Sequence, residues 1–376
     1  MNNWLYKNIL TFVLAFILVG ILIPQIIAIA FNKNLFDSQD ARKTHIGLVP
    51  RLGGISFVPG IIFSLLFTLG IGIQFAEPGI REILWTGTVP LFFLFCALML
   101  LYLVGMADDL VGVRYGAKFF FQILAALIVI ASGIYVANFH RFLWIDQLPV
   151  WASWALTIVL IVYIINSFNL IDGIDGLSGG LATITLAFFG IAFYDAGIYI
   201  YSMLAFAGLG TLLPFLYYNI YGNPERNSKI FMGDTGSLTI GMLIAFLAIE
   251  FTNVNEKGNI FATVNPIIVA VSPIIIPLFD QLRVFSHRIV RGRNPFMPDR
   301  CHIHHKLLAL GLTSRQALVA ILLSDIGFIV VNWLISPHMG PTLTIVVDLA
   351  IWTIANLIIT KALRRREAHT GIHLYD

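Results

Sequence analysis

Charge is what this sequence has least of. Of its 376 residues only 11% are Asp, Glu, Lys or Arg, against 58% hydrophobic, and the mean hydropathy is +0.87. Such a composition excludes a soluble domain and leaves a polytopic membrane protein. In lipid every backbone polar group must find its partner within the protein, so the expected fold is a helical bundle. Cysteine is nearly absent: Cys96, in an apolar run, and Cys301, in a loop, make no disulfide framework. The net charge is only +3, and the basic residues sit beside apolar runs, which argues against nucleic acid as a partner. His-Glu-x-x-His is missing, and with it the signature of a helix-borne zinc protease. There is no internal repeat or low-complexity tract. Little positive charge precedes the first apolar run near Ile9 and no small-residue cleavage site follows, so the run reads as a retained span rather than a signal peptide.

What is abundant is apolar runs long enough to cross a bilayer, which takes about 17–25 residues. Eleven fit, near 9–30, 52–74, 88–106, 119–137, 152–170, 180–197, 199–220, 236–252, 260–279, 317–335 and 342–362. The sixth and seventh nearly fuse around Asp195, so ten is the neighbouring count. Segments 31–51, 107–118, 221–235 and 280–316, with the tail from Lys361, hold 19 of the 23 Lys and Arg residues. Only Lys7, Arg81, Arg141 and Lys257 fall on the other side. The positive-inside rule then predicts an outside N-terminus and a cytoplasmic C-terminus. This orientation also puts every polar cluster on the cytoplasmic face.

The central cluster is 166–180, Asn-Ser-Phe-Asn-Leu-Ile-Asp-Gly-Ile-Asp-Gly-Leu-Ser-Gly-Gly. An unbroken apolar run delivers Asn166, Asn169, Asp172 and Asp175 at three-residue spacing. On a continuous helix each step of three rotates by about −60°, which would carry Asn166 and Asp175 to opposite faces. They converge only if the helix stops, and Gly173 and Gly176 tolerate the backbone angles a helix end needs. Carboxylates beside a bilayer are costly and usually functional.

Four further segments join it. In 37–54, Arg42, Lys43 and His45 suit a lipid phosphate at the membrane surface. Asp108 and Asp109 close the third span, where neighbouring carboxylates repel unless a cation is near. An all-oxygen site there suits Mg²⁺, and Lys118 offers a point charge for phosphate. Asp234 lies in Phe-Met-Gly-Asp-Thr-Gly-Ser just before a span, with backbone N–H groups at the helix start suited to an anion and Phe231 able to stack on a base. In 280–316, Arg283, Arg291 and Arg293 supply forked donors for phosphate, and 284–290 reads as a basic amphipathic helix on the membrane surface. His302, His304 and His305, with Asp299, read either as a zinc site or as a phosphate clamp in which Asp299 orients one imidazole and favours its charged form. Together the clusters indicate Mg²⁺-dependent phosphoryl transfer at the membrane face. A secondary transporter also keeps Asp and Asn within the membrane, but near its midplane.

Asp-Asp at 108–109, Asn-Leu-Ile-Asp-Gly-Ile-Asp-Gly-Leu at 169–177, Phe-Met-Gly-Asp-Thr-Gly-Ser at 231–237 and Pro-Asp-Arg-Cys-His-Ile-His-His at 298–305 resemble the polyprenyl-phosphate N-acetylhexosamine-1-phosphate transferases. The resemblance spans about 37–310. His-x-His-His and eleven spans are similar to the undecaprenyl-phosphate N-acetylglucosamine-1-phosphate transferase branch. The sister branch acting on UDP-N-acetylmuramoyl-pentapeptide carries three consecutive histidines. Gln39 replaces the family's usual proline upstream of Arg42, Lys43 and His45.

The resemblance implies an all-α polytopic integral membrane protein. It would be one domain over 1–376, a bundle of about eleven transmembrane helices with its active site at the cytoplasmic face of a bacterial inner membrane. Segments 31–51, 107–118, 166–179, 221–235 and 280–316 form the site. Undecaprenyl phosphate attacks the β-phosphorus of UDP-N-acetylglucosamine and releases UMP, opening lipid-linked polysaccharide synthesis. Mg²⁺, with Mn²⁺ as a substitute, is the implied cofactor, and a homodimer the implied assembly. Asn169 and Asp234 are implied as the metal pair, and Asp108 and Asp109, with Lys118, as the lipid-phosphate site. Asp175 and Phe231 are implied as the uracil contacts and Asp172 as a supporting acid. Arg283, His302, His304 and His305 are implied as the diphosphate and sugar clamp, while Lys43, His45 and Asn166 complete the substrate contacts. A phosphate monoester is mostly dianionic at neutral pH, having a second pKa near 6. Asp108 and Asp109 are therefore expected to position the nucleophile rather than deprotonate it.

Overall fold

The computed structural model describes residues 3–36, 48–75, 80–254, 258, 260–292, 294 and 301–370. The chain is an all-α bundle. Its helices are α1 (Asn3–Lys33), α2 (Phe57–Gln74), α3 (Ile80–Val111), α4 (Tyr115–Ala131), α5 (Val150–Leu170), α6 (Leu177–Asp195), α7 (Tyr199–Tyr221), α8 (Gly233–Thr252), α9 (Pro266–Val271), α10 (Ile275–Val290), α11 (Ile303–Ala309) and α12 (Ser314–Thr370).

Helix α8 is the axis, with nearly every residue buried, packed against α3 and α5. Its sequence, Gly-Asp-Thr-Gly-Ser-Leu-Thr-Ile-Gly, suits that place: small residues let backbones approach where lipid supplies no hydrophobic drive between helices. A Cβ on Gly241 would stand 2.8 Å from Ile165 Cα of α5. Hydroxyls deeper in α8 are satisfied locally, as where Thr239 Oγ1 donates to Thr235 O at 2.6 Å. At 20 residues α8 spans about 30 Å, the full hydrocarbon thickness, so its two ends define the two faces of the protein.

Nine described helical segments are long and apolar enough to cross a membrane. Among them α6 and α7 are separate helices, parted at Gly197 with φ +76°. The last of the nine is α12, in which Gly340 (φ 73°, ψ 168°) interrupts the helix between Pro337 and Pro341. Its halves fold back on each other, since Asn332 Nδ2 donates to Asp348 Oδ2 at 2.9 Å across the break. Helix α4 has only 17 residues. Eleven spans therefore result if α4 and each half of α12 cross separately.

The loops are shorter than the sequence reading drew them. Helix α10 runs without a break through Asp280 to Val290, because its prolines stand before and within its first turn and the next interruption is Gly292 (φ +65°). The described residues of 280–316 are thus largely helical, over 280–290, 303–309 and 314–316. The run expected as a span over 119–137 ends at Ala131 and leads into an antiparallel hairpin, β1 (Asn138–Phe142) and β2 (Ile145–Gln147). Asn253, just beyond α8, holds that hairpin by accepting from Ala137 N at 3.2 Å and donating to Tyr135 O at 2.9 Å.

Candidate active site

The opposite end of α8, its N-terminus, collects the polar clusters. A helix start leaves unsatisfied N–H groups and a partial positive charge. Here the cap comes from another helix. Asp109, near the end of α3, accepts from Asp234 N at 2.8 Å through Oδ1, and from Thr235 N at 2.9 Å and Thr235 Oγ1 at 2.6 Å through Oδ2. Gly233 makes this approach possible: its φ is +69°, and a Cβ there would meet the Asp109 carboxylate and Arg51 O. A backbone strap closes the other side, with Phe231 N donating to Pro50 O at 2.9 Å, Gly53 N to Phe231 O at 3.0 Å and Gly54 N to Met232 O at 2.9 Å. A Cβ on Gly54 would collide with Gly236 N. The N–H groups expected to greet an anion are therefore occupied by Asp109. Asp109, expected beside the lipid phosphate, has both oxygens engaged in holding α8.

Asp108 and Asp234 meet through a shared cation. Lys118 Nζ lies 2.7 Å from Asp108 Oδ2 and 2.6 Å from Asp234 Oδ2, and Val113 N donates to Asp108 Oδ1 at 2.7 Å. Carboxylate oxygens of Asp108, Asp109 and Asp234 lie within 4.8 Å of one another. Asn169 joins them from the end of α5, its side chain bonded to the Asp234 carboxylate and its Nδ2 donating to Ser237 Oγ at 2.8 Å. Hard oxygen donors this close suit a small divalent ion, and the Lys118 ammonium between two of the acids marks the demand for positive charge. Lys118, expected on a phosphate, serves in this structure as counter-ion.

The central motif folds as the glycines require. Helix α5 ends at Leu170, Gly173 N donates to Ile171 O at 2.7 Å, and Gly176, at φ +79°, starts α6. Asn219 fixes this turn, accepting from Gly176 N at 2.6 Å and donating to Ile230 O at 2.9 Å. Asp175 pairs with the buried Lys229 at 2.5 Å. Asp172 is exposed and has no hydrogen-bond partner among the described residues. The low-dielectric surround, reinforced by Asp234, Asp175 and Asp109 and opposed by Arg51, pushes it up to about 7. Asn166 is engaged elsewhere, donating to Gln122 Oε1 of α4 at 2.6 Å and to Val162 O at 2.7 Å. The stop in the helix thus brings Asn169 to the acid cluster and leaves Asn166 bracing α5 on α4. Phe231 is half-buried beside the strap.

The histidine segment closes over this loop. The imidazole of His304 lies against Gly173, where a Cβ would strike its Nε2. His304 is buried, and neither ring nitrogen is hydrogen-bonded to any described residue. Burial, with His305 and His302 adding positive charge nearby, holds its pKa well below the usual imidazole range. That is the reverse of the raised pKa expected for a loop imidazole. His304 stacks between its neighbours, 5.9 Å from His302 and 4.0 Å from His305 by ring centroids. The acid that orients an imidazole is Asp280, 2.8 Å from His302 Nδ1, and Arg283 bridges Asp280 at 2.8 Å and Cys301 O at 2.5 Å. Lys43, His45, Arg293 and Asp299 lie outside the described residues.

Sequence reasoning assigned no role to Asp280, Thr235, Ser237 or Lys229, and left Asn219 without one. For Asp280 a signal existed: it is an acid inside an otherwise apolar helical run, and such residues usually have a role.

The chain is similar to known proteins. Residues 91–252, from α3 through α8, match the family model described as glycosyl transferase family 4. A Yersinia pestis protein named undecaprenyl-phosphate alpha-N-acetylglucosaminyl 1-phosphate transferase is 30% identical over 300 residues, 79% of this chain and 75% of the relative. A Bacillus subtilis protein named probable undecaprenyl-phosphate N-acetylglucosaminyl 1-phosphate transferase is 30% identical over 88% of this chain and 84% of its own length. The Escherichia coli K12 relative, which shares the Yersinia pestis name, is 31% identical over 79% and 75%.

Proposed function

The chain belongs to glycosyl transferase family 4, and from that premise we propose that it transfers N-acetylglucosamine 1-phosphate from UDP-N-acetylglucosamine to undecaprenyl phosphate, releasing UMP. The observation that carries this reading is the convergence of Asp108, Lys118, Asn169, Asp172 and Asp234 around one end of α8, with the histidine segment laid over the same loop.

An oxygen of the lipid phosphate attacks the β-phosphorus, and the bond from that phosphorus to the UMP oxygen breaks. The nucleophile is mostly dianionic at neutral pH, so no base has to act first. Catalysis then rests on positioning and on charge stabilisation. Asp108, Asp234 and Asn169 are the residues that would hold Mg²⁺, with Mn²⁺ as substitute. When bound, the ion neutralises the diphosphate and the developing charge on the leaving UMP. Lys118 keeps the acids together and remains beside the incoming phosphate as a second positive charge. Asp109 sets where Asp234 stands. The apolar helix ends around the cluster support a site at the bilayer surface, where a lipid phosphate and a water-soluble nucleotide can meet. His302, His304 and Arg283 hold the diphosphate and sugar from above the loop.

The test is purified protein in nanodiscs, undecaprenyl phosphate and a panel of UDP-sugars, with UMP as readout. UMP should appear with UDP-N-acetylglucosamine only when the lipid is present, and should stop in EDTA. Lipid-dependent UMP from another UDP-sugar alone would replace the donor, and none from any would end the proposal.

The site is assigned to the cytoplasm by the 19 cations that share its side. Reporters fused within 291–300 and after Asp376 should both read cytoplasmic. A periplasmic signal at either position would reverse the orientation and move the nucleotide-binding face with it.

A further inference from the structure

We infer that Asp280 is a positioning residue for this transfer, acting through the imidazole of His302. The inference rests on the reading that His302 holds the donor diphosphate, and adds what holds His302.

Asp280 sits within α10 and is fully buried, yet its carboxylate is supplied with donors on both oxygens. Oδ2 accepts from His302 Nδ1 at 2.8 Å, while Oδ1 accepts from Arg283 at 2.8 Å and from Ile303 N at 3.1 Å. Burying a carboxylate is costly unless it is paired and hydrogen-bonded, and here the pairing reaches across more than 20 residues of chain. It grips the side chain of His302 and the N–H of the next residue together, which fixes both the segment and the ring. The anchor itself is rigid. Helix α10 is tied to α5 where Tyr163 OH donates to Leu278 O at 2.5 Å and Ser167 Oγ bonds Gln281, the neighbour of Asp280. Helix α5 ends with Asn169 in the acid cluster. A short path of packed helix and hydrogen bonds therefore sets the distance from His302 to Asp234.

The contact also sets the chemistry of the ring. A carboxylate at Nδ1 keeps the proton on that nitrogen, leaving Nε2 as the atom free to engage substrate. When Nε2 takes a proton at the phosphate, the ring becomes positive with a carboxylate directly behind it. The same logic orients the histidine of hydrolytic triads.

Asp280→Asn tests this with little change in shape. The amide can offer an N–H to Nδ1 and so favours the other tautomer. We expect kcat/KM for the donor to fall about 10–100-fold, the range for losing an orienting partner. The ¹⁵N shifts of His302, assigned against His302→Ala, should show the proton moving from Nδ1 to Nε2. Asp280→Asn combined with His302→Ala should be no worse than His302→Ala alone, because one residue acts through the other. Wild-type turnover in Asp280→Asn, an unchanged tautomer, or additive losses in the double variant would each overturn the inference. If Asp280→Asn does not fold, His302→Asn decides. It keeps an N–H donor toward Asp280 and deletes the far ring nitrogen, so it should be as inactive as His302→Ala; wild-type turnover would mean that Asp280 only anchors the loop. Full activity in His302→Ala would instead overturn the diphosphate reading itself.

Discussion

Asp234→Asn should lower kcat for UMP release about 1,000-fold, the upper range for deleting one charge-stabilising group in an active site, while leaving the bundle folded. The substitution touches charge and almost nothing else. The backbone N–H of residue 234 still donates to Asp109, so the start of α8 stays in place. The Asn169 contact has a carboxamide oxygen to meet. What is lost is the negative charge opposite Lys118, 2.6 Å away, and one of the three carboxylates grouped within 4.8 Å. Lys118 then pairs with Asp108 alone, and the demand for a divalent ion falls. The Mg²⁺ concentration for half-maximal turnover should therefore rise as kcat drops. Turnover within tenfold of wild type, at an unchanged Mg²⁺ requirement, would remove Asp234 from the proposed metal site. Asn169→Ala should move both quantities the same way but less, because a neutral ligand carries less of the field.

Much of this architecture is legible in the sequence, and the boundary between what is and is not has a physical basis. The spans follow from apolar length, which lipid enforces locally. The end of α5 follows from Gly173 and Gly176, which tolerate the backbone angles a helix end needs, but the expectation that Asn166 joins the site does not hold, since it braces α5 on α4. Partners supplied by distant segments do not follow. That Asp109 caps α8 depends on Gly105 of α3 lying against Thr235, where a Cβ would stand 2.5 Å from its Cα, and no local pattern encodes that approach. Hydropathy falls at Asp280 and suggests a loop starting there, but intrahelical bonding carries α10 on to Val290. The hairpin at 138–147 falls between the runs expected as spans over 119–137 and 152–170, where no local pattern announces it; its turn is set by positive φ at His140, Arg141, Leu143 and Trp144. For Lys118 the charge and the resemblance point to the lipid phosphate, and only its two short contacts show which anions it serves here.

Asp108 and Asp109 give the sharpest separation of site from scaffold, because they are adjacent and identical and the structure employs them differently. Asp109→Asn cannot keep the cap. Each Asp109 oxygen accepts a backbone N–H of α8, so an asparagine must turn its NH₂ toward one of them in either orientation. The start of α8 then keeps an unsatisfied donor and loses the anion that complements its dipole. Together these should cost about 2–4 kcal/mol of stability. Because Asp234 is the residue so displaced, activity should fall as well. Asp108→Asn meets neither problem. Its oxygen can still accept from Val113 N, and its other contact is a partly exposed ion pair, worth about 1 kcal/mol or less. Removing that charge also relieves repulsion with Asp234. The expected result is a wild-type thermal midpoint in detergent for Asp108→Asn with turnover reduced about 100-fold, and a clearly lower midpoint for Asp109→Asn. Adding Mg²⁺ and donor should raise the Asp109→Asn midpoint, since ligands that bind only the folded state stabilise it. Equal midpoints in the two variants would show that the three contacts on Asp109 do not hold α8, and would return it to the lipid-phosphate role that the sequence suggests.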